Sequence, residues 1–574
     1  LVDRYIPNLV ASPFEMTKEF AAKILEVVPS ERIKAALDDP AVWDSYAADD
    51  QKLGRLLLTE LLSWQFASPV RWIETQALLF GKREQGGLGV EEYVEVGLGN
   101  APTLANLGAK TLHLPEFAGN DTVVYNVGRD EGRVYMTDTD SLVPDDEPEE
   151  AAASAPVETA PAGGSAVAKL GSGAAPANAV TEAAQTTDGS VAGQSTGLSA
   201  SSRGLQVVQA TPRRLLRRVK VVAPHDMTAF ARTSGDFNPI HTSTRGARIS
   251  GLAAPLVHGM WLSATAQHAV QALDEKGAHY EIAGWTYNMY GMVQLDDTVE
   301  ISVERVGKVR HGGMTLEVTC RIDGQLVSRG TALVRAPRAA FVYPGQGIQK
   351  QGMVLDERAK SAAARDVWER ADKLTRSKLG FSILGLVRDN PKELTANGVT
   401  YRHPEGLLNL TQFTQVALAT VAFAQTARLR EAGADIWPAY FAGHSLGEYN
   451  ALSAFADVIP LETVLELVFH RGSTMHHLIE RDAQGRSNYR MGALRPNQFG
   501  VDDAHVKEYV ESVAKASGEF LEIVNYNLAG QQYAIAGTIA GLKALKADSA
   551  RRVAAFGGKP AFMLVPGIDV PFHS

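Results

Sequence analysis

Phe441-Ala442-Gly443-His444-Ser445-Leu446-Gly447-Glu448 is the stretch on which the fold turns. Gly-x-Ser-x-Gly is the pattern of a nucleophile elbow: a strand ends, the chain turns sharply, and a helix begins under an exposed serine hydroxyl. The apolar residues from Ala439 to Ala442 predict that strand, and the residues after Ser445 predict the helix. Glycine is needed on both flanks because such a turn presses backbone against backbone. The Leu446 N–H is then aimed at the place where an oxyanion would form.

Three features lie around this elbow in the chain. Val342-Tyr343-Pro344-Gly345-Gln346-Gly347-Ile348-Gln349 is a glycine turn after a strand. Arg471 follows the serine on a predicted helix that also holds His470, and His573 ends the run Val570-Pro571-Phe572-His573. In kind and order these residues resemble the malonyl-CoA:acyl-carrier-protein transacylases, and the resemblance spans residues 339–574. It implies Ser445 as nucleophile and His573 as its base, with backbone carbonyls in place of an acidic third member. It also implies an oxyanion hole from the N–H groups of Gln346 and Leu446, and an acyl pocket lined by Gln415. Asn525 and Asn527 would sit on a loop beside the site. Arg471 would grip the free carboxylate of malonate as a bidentate pair; its bland alternative is a helix-surface arginine. An α/β-hydrolase using the same elbow would give the Pro-Gly-Gln-Gly turn and Arg471 no role.

A second constellation is Ser234-Gly235-Asp236-Phe237-Asn238-Pro239-Ile240-His241, followed by Pro255-Leu256-Val257-His258-Gly259. A carboxylate and an imidazole on one loop can form an acid–base pair, although an isolated motif of this kind is more often an Asx-capped turn. With both segments present the region resembles the R-specific enoyl hydratases and related MaoC-like dehydratases of the hot-dog fold. The resemblance assigns proton transfer to Asp236 and His241, bracing of the loop to Asn238, and support of the thioester oxygen to the Gly259 N–H. His258 reads as structural. One hot-dog unit normally pairs with another, so a partner unit is expected.

The chain has 574 residues, a formal net charge of −9, 45% hydrophobic residues and a single cysteine. This is too much chain for one core, carries no basic nucleic-acid footprint, permits no intrachain disulfide, and fits a cytoplasmic enzyme. The basic run Arg213, Arg214, Arg217, Arg218 and Lys220 reads as a solvated segment edge. The apolar-leaning stretch 406–427 holds Asn409, Gln412 and Gln415 and reads as a buried helix, not a membrane span. Residues 144–205 are Ala, Gly, Ser, Thr and Pro after an acidic start, and lack the apolar surface to offset ordering entropy; a disordered linker is expected there. It separates a mostly helical block, 1–143, from a hot-dog domain, 206–338, and a transferase part, 339–574. The fold class expected is therefore α/β and α+β multidomain, the transferase having an α/β-hydrolase-like core and a small ferredoxin-like subdomain.

The helical block resembles the closing segment of the same transferase domain, through the run from Leu61 to Gln76 and through Val94-Glu95-Val96-Gly97 with Pro102-Thr103-Leu104. This implies that residues 1–115 fold onto 340–574, with Gln65 offering a backbone carbonyl to His573. The two domains together resemble the fungal- and bacterial-type (type I) fatty acid synthases. That resemblance implies transfer of malonyl and long acyl groups between CoA and an acyl carrier protein, and dehydration of 3-hydroxyacyl thioesters. It implies no bound cofactor or metal, only CoA and phosphopantetheine thioesters as substrates. Its partners would be the carrier, the other synthase domains and further copies in a large homo-oligomer, with no nucleic acid or membrane. A polyketide synthase segment and a non-catalytic carrier-docking scaffold are the alternatives.

Overall fold

A computed structural model describes residues 1–135, 208–272, 280–309, 313–435, 439–482 and 486–574. The expected linker, 144–205, lies outside the described residues. The chain forms two compact units. The first joins residues 1–135 with 338–431 and 439–574; the second holds the remaining described residues, 208–337 and 432–435 among them.

The first unit is built on a five-stranded parallel sheet whose order is Tyr5–Ile6, Ala439–Gly443, Ala339–Tyr343, Glu92–Glu95, Val123–Asn126. Three of these strands come from the N-terminal block and two from beyond residue 338, so neither stretch of chain makes the sheet alone. Every residue of Ala339–Tyr343 is buried, the uniform apolar run of a strand covered on both faces. Helix Thr411–Glu431 begins inside the stretch read as a buried helix, runs four residues past its end, and is buried on nearly all sides, which is why its sequence shows no polar stripe. Its Phe413 shares one core with Trp368 and Val464 of other helices, and full burial of side chains of this size stabilises by about 1.5–3 kcal/mol each.

A second sheet in the same unit runs Phe562–Leu564, Tyr489–Leu494, Gln532–Thr538, Leu521–Leu528, Val70–Arg71. With helices Val506–Ser517 and Ile539–Phe556 its first four strands follow a βαββαβ path, the ferredoxin-like subdomain expected. Asn525 and Asn527 therefore lie on strand Leu521–Leu528, not on a loop, and the strand's pairing is irregular at Asn527.

In the second unit helix Gly259–Gln271 packs on a five-stranded antiparallel sheet. The sheet order is Val208–Val222, Thr298–Val309, Gly313–Ile322, Gln325–Val334, Ile282–Met289, the hot-dog arrangement. Leu262, Ala266 and Val270 on the helix meet Ile301, Leu316 and Val318 on the sheet. The basic run lies within Val208–Val222, the edge strand of this sheet, where Arg218 and Lys220 are exposed as expected, whereas Arg213 reaches Glu304 and Glu317 on the next two strands.

Candidate active sites

Ser445 stands between strand Ala439–Gly443 and helix Leu446–Asn450 with φ 56° and ψ −119°. A side chain at positive φ in this region costs roughly 1–3 kcal/mol and persists only where the surroundings impose it. The glycines impose it. A Cβ at Gly443 would lie 2.0 Å from the Gly447 carbonyl carbon, and one at Gly447 would lie 1.9 Å from Tyr343 O. A Cβ at Gly345 would stand 2.7 Å from His444 O, so the upstream glycine turn is pressed against the elbow itself.

Ser445 Oγ lies 2.6 Å from His573 Nε2. The other ring nitrogen, Nδ1, faces two backbone carbonyls, Gln65 O at 2.9 Å and Ser68 O at 3.1 Å. A carbonyl can only accept, so Nδ1 carries the proton and the Nε2 lone pair faces the serine hydroxyl. The His573 N–H also donates to Phe66 O at 3.1 Å. Burial, followed by the charge of Arg471, pushes the His573 imidazole down to about 3, so the ring is neutral at pH 7. Residues 65–68 thus hold the histidine at three points.

Gln65 does more with its side chain than the sequence suggests. Its Nε2 donates to Ser445 O at 2.6 Å, and its Oε1 accepts from Arg471 Nη2 at 3.3 Å. Arg471 Nη1 donates to Gln415 Oε1 at 2.9 Å, and the guanidinium lies 4.9 Å from the centre of the Tyr449 ring. Its Nε is buried without a partner, and no carboxylate is hydrogen-bonded to it among the described residues. Burial lowers the Arg471 pKa, while Tyr449 and Glu448 act against that.

Gln346 is fixed by Thr411 Oγ1, which donates to Gln346 Oε1 at 2.8 Å; Thr411 Oγ1 also accepts from Gln415 Nε2 at 3.1 Å. Among the described residues neither the Gln346 N–H nor the Leu446 N–H has a hydrogen-bond partner. Asn527 Oδ1 lies 2.8 Å from His444 Nε2, and Asn525 Oδ1 is buried without a partner.

Two residues absent from the sequence reading, Asn8 and Tyr5, complete the surroundings together with Glu448 of the elbow stretch. Asn8 Oδ1 accepts the Ser445 N–H at 2.9 Å, and Asn8 Nδ2 donates to Gly443 O. The Asn8 N–H donates to Glu448 Oε1 at 3.0 Å, and the Tyr5 hydroxyl donates to the same oxygen. Glu448 is buried, which pushes its carboxyl up to about 7. A two-residue strand before a proline gives too little periodicity to find them by pattern.

In the second unit Asp236 Oδ1 accepts the Asn238 N–H at 3.0 Å, and Asn238 Oδ1 accepts the Ile240 N–H at 3.2 Å. The stretch expected as loop thus contains a short helix, Pro239–Thr242, capped by Asn238. His241 Nδ1 faces Leu256 O at 2.9 Å, which turns Nε2 toward Asp236 Oδ2, 3.9 Å away. Burial lowers the His241 pKa, with the Leu256 bond opposing. His258 belongs to this group more closely than expected. Its ring stacks on that of His241 with centroids 3.9 Å apart, and its Nε2 lies 3.0 Å from Asp236 O. Asp236, His241 and His258 bring ligand-type atoms within 4.8 Å of one another, a spacing that acid–base groups and metal sites share. Gly259 opens the following helix, where a Cβ would meet Met289 Sδ at 2.5 Å.

Comparison with known proteins follows these two sites. Residues 340–553 match the acyl transferase domain model, and residues 206–324 match the MaoC-like domain model. The fatty acid synthase beta subunit of Cochliobolus carbonum is 35% identical over 370 residues, 57% of this chain and 18% of that protein. The beta subunit of Saccharomyces cerevisiae fatty acid synthase is 35% identical over 361 residues, 56% of this chain and 18% of that protein. Among solved structures, FabD from Acinetobacter baumannii is 27% identical with a TM-score of 0.32, over 40% of this chain and 62% of that one. The chain spans less than a fifth of the length of the two synthase subunits. No helix among the described residues is long and apolar enough to cross a membrane. The chain carries an acyl transferase domain and a MaoC-like hot-dog domain, and it is similar to a segment of the fungal fatty acid synthase beta subunits.

Proposed function

We propose that the first unit transfers malonyl groups, and long acyl groups as well, from CoA to an acyl carrier protein through an ester on Ser445. The observation that carries this reading is the 2.6 Å contact of Ser445 Oγ with a neutral His573 beside a cation that lacks a carboxylate partner, Arg471. Ser445 Oγ attacks the thioester carbonyl while its proton passes to His573 Nε2. The N–H groups of Gln346 and Leu446 receive the developing oxyanion. The tetrahedral species collapses, the C–S bond breaks, and the CoA sulfur takes the proton from His573. The carrier's thiol then repeats the sequence in reverse, losing its proton to His573 and freeing Ser445. Arg471 pairs with the malonyl carboxylate, Gln415 holds Arg471 in place, and Asn525 and Asn527 face substrate.

In this reading the N-terminal block, 1–143, is the closing segment of the transferase domain. The second unit dehydrates (3R)-3-hydroxyacyl thioesters of the carrier to trans-2-enoyl thioesters. Asp236 and His241 remove the C2 proton and protonate the departing hydroxyl, with the Gly259 N–H on the thioester oxygen. The phosphopantetheine arm arrives with the substrate, and the carrier, the other synthase domains and further copies of the chain are the partners, in the cytoplasm. Incubation with labelled malonyl-CoA tests the transferase: an ester-linked label is expected on the wild-type chain and none on Ser445→Ala. A wild-type chain that takes no label between about pH 6 and 8 would favour a carrier-docking scaffold.

A further inference from the structure

We propose that Asn8 is a positioning residue for the nucleophile, holding Ser445 in its reactive backbone conformation; this rests on the reading of Ser445 as the acylated residue. One side chain grips the elbow on both sides of His444. Its Oδ1 takes the Ser445 N–H at 2.9 Å, and its Nδ2 gives a hydrogen bond to Gly443 O. Asn8 is 2% exposed, so neither bond competes with water. The residue is anchored in turn: its own N–H donates to Glu448 Oε1 at 3.0 Å, on the helix that follows the serine. Strand Tyr5–Ile6 pairs in parallel with the strand that feeds the elbow, Tyr5 opposite Phe441 and Ile6 opposite Ala442.

Two consequences follow for the chemistry. With its N–H taken by Asn8, Ser445 cannot turn that group toward an oxyanion, so the donor left at the turn is the Leu446 N–H. And the φ of 56° at Ser445 is held by a bond on each side of the preceding residue, which keeps Oγ at 2.6 Å from His573 Nε2. Without the clamp the elbow relaxes and the hydroxyl drifts from its base, a displacement that acts on kcat more than on KM.

The test is single-turnover labelling of Ser445 by malonyl-CoA in the full chain, with thermal melting measured alongside. Asn8→Ala is expected to slow acyl-serine formation by roughly 10- to 100-fold, with KM for malonyl-CoA within about two-fold of wild type. The isosteric Asn8→Asp adds a readout that a purely structural role would not move. While protonated, the introduced carboxyl can accept from the Ser445 N–H and donate to Gly443 O; once ionised it can only accept and repels that carbonyl. Glu448 faces it through the Asn8 N–H, Tyr5 shares that Glu448 oxygen, and His444, His573 and Arg471 lie around the same turn, so its titration is expected above the ordinary carboxylate range. The Asn8→Asp rate should therefore fall with rising pH along a limb absent from wild type. Wild-type rates for Asn8→Ala, or a wild-type pH profile for Asn8→Asp, would overturn the proposal. A wild-type chain that takes no label at all overturns the acyl-serine reading, and this inference with it.

Discussion

The backbone carbonyl of Gln65 accepts the Nδ1 proton of His573 at 2.9 Å, although the two residues stand 508 positions apart in the sequence. The same glutamine touches Ser445 and Arg471 through its side chain. Gln65→Ala keeps the carbonyl and removes only the amide. His573 should stay aligned while Arg471 loses one of its two amide oxygens. A neutral-to-charged hydrogen bond of this kind is worth about 1.5–3 kcal/mol, so kcat/KM for malonyl-CoA should drop roughly 10- to 150-fold. A loss of equal size for a long acyl-CoA would mean that the side chain acts on the serine and not on the arginine.

The state of His573 gives the pH dependence. Burial and Arg471 hold its pKa at about 3, against about 6.5 for a free imidazole. The base therefore stays neutral as pH falls through 6.5, and labelling of Ser445 should not lose a tenfold step between about pH 7.5 and 5.5. An acid limb at the free-imidazole value that is present in wild type and persists in Glu448→Gln, so that it belongs to this ring and not to Glu448, would sink the assignment of a depressed pKa. Stability behaves in the opposite sense to activity. The unfolded chain takes up a proton below about 6.5 that the native ring refuses, so this histidine's contribution is intact above 6.5 and is lost as pH falls toward 3. Melting temperatures should decline over that window in wild type and less steeply in His573→Gln.

Much of this site could be read from the chain before its fold was seen, for identifiable reasons. The elbow glycines and Ser445 form a local motif, because the turn's steric needs are met within a few residues. Asp236 and His241 share one short segment, so their pairing is also local. Asn525 and Asn527 were misplaced on a loop because Gly530 nearby reads as a turn, whereas strand pairing with Gln532–Thr538 extends to Leu528. Asn8 and Tyr5 were invisible for a different reason. Their partners, Ser445 and Glu448, lie more than four hundred positions away, and nothing in Tyr5-Ile6-Pro7-Asn8 alone encodes a contact at that distance. His258 reads as structural from the sequence, and its stacking on His241 is a contact that the sequence alone does not encode.

Arg471 is held by neutral amides and an aromatic face, with Nε left unpartnered. A substrate carboxylate would supply the missing counter-charge. Arg471→Ala should therefore cut malonyl loading by roughly 100-fold or more while leaving transfer of uncharged acyl groups within about three-fold of wild type. Competition between malonyl-CoA and a long acyl-CoA for Ser445 reads the ratio directly. Equal loss for both would leave Arg471 without a role in selecting the carboxylate.

The closeness of Gly447 to Tyr343 makes a prediction about folding. A Cβ there would stand 1.9 Å from a backbone oxygen, and the strand that carries this oxygen cannot yield, since Ala339–Tyr343 is hydrogen-bonded on both sides. Gly447→Ala should lower the melting temperature of the transferase unit by several degrees, in line with a cost of about 2–4 kcal/mol. Gly557→Ala is the comparison: that glycine has a φ of 88° but nothing within 4 Å of a Cβ, so it should cost only about 1 kcal/mol.

The dehydratase site should fail independently of the transferase. His241 Nε2 and Asp236 Oδ2 face each other at 3.9 Å, too far for a direct hydrogen bond and wide enough for a substrate hydroxyl between them. His241→Ala and Asp236→Asn should each reduce hydration of a crotonyl thioester by about 100- to 10,000-fold, while labelling of Ser445 stays at the wild-type rate. His258→Ala separates two accounts of the third ring. If His258 only orients the loop through Asp236 O, its loss should raise KM and lower kcat together, and His258→Gln, which can still donate to that carbonyl, should restore most of the activity. If His258 exchanges protons with substrate, the glutamine variant should be as inactive as the alanine. The stacked geometry, with Nε2 engaged by a backbone carbonyl at 3.0 Å, favours the first outcome, because a nitrogen whose proton is committed to that carbonyl is not free to deliver it to a leaving hydroxyl.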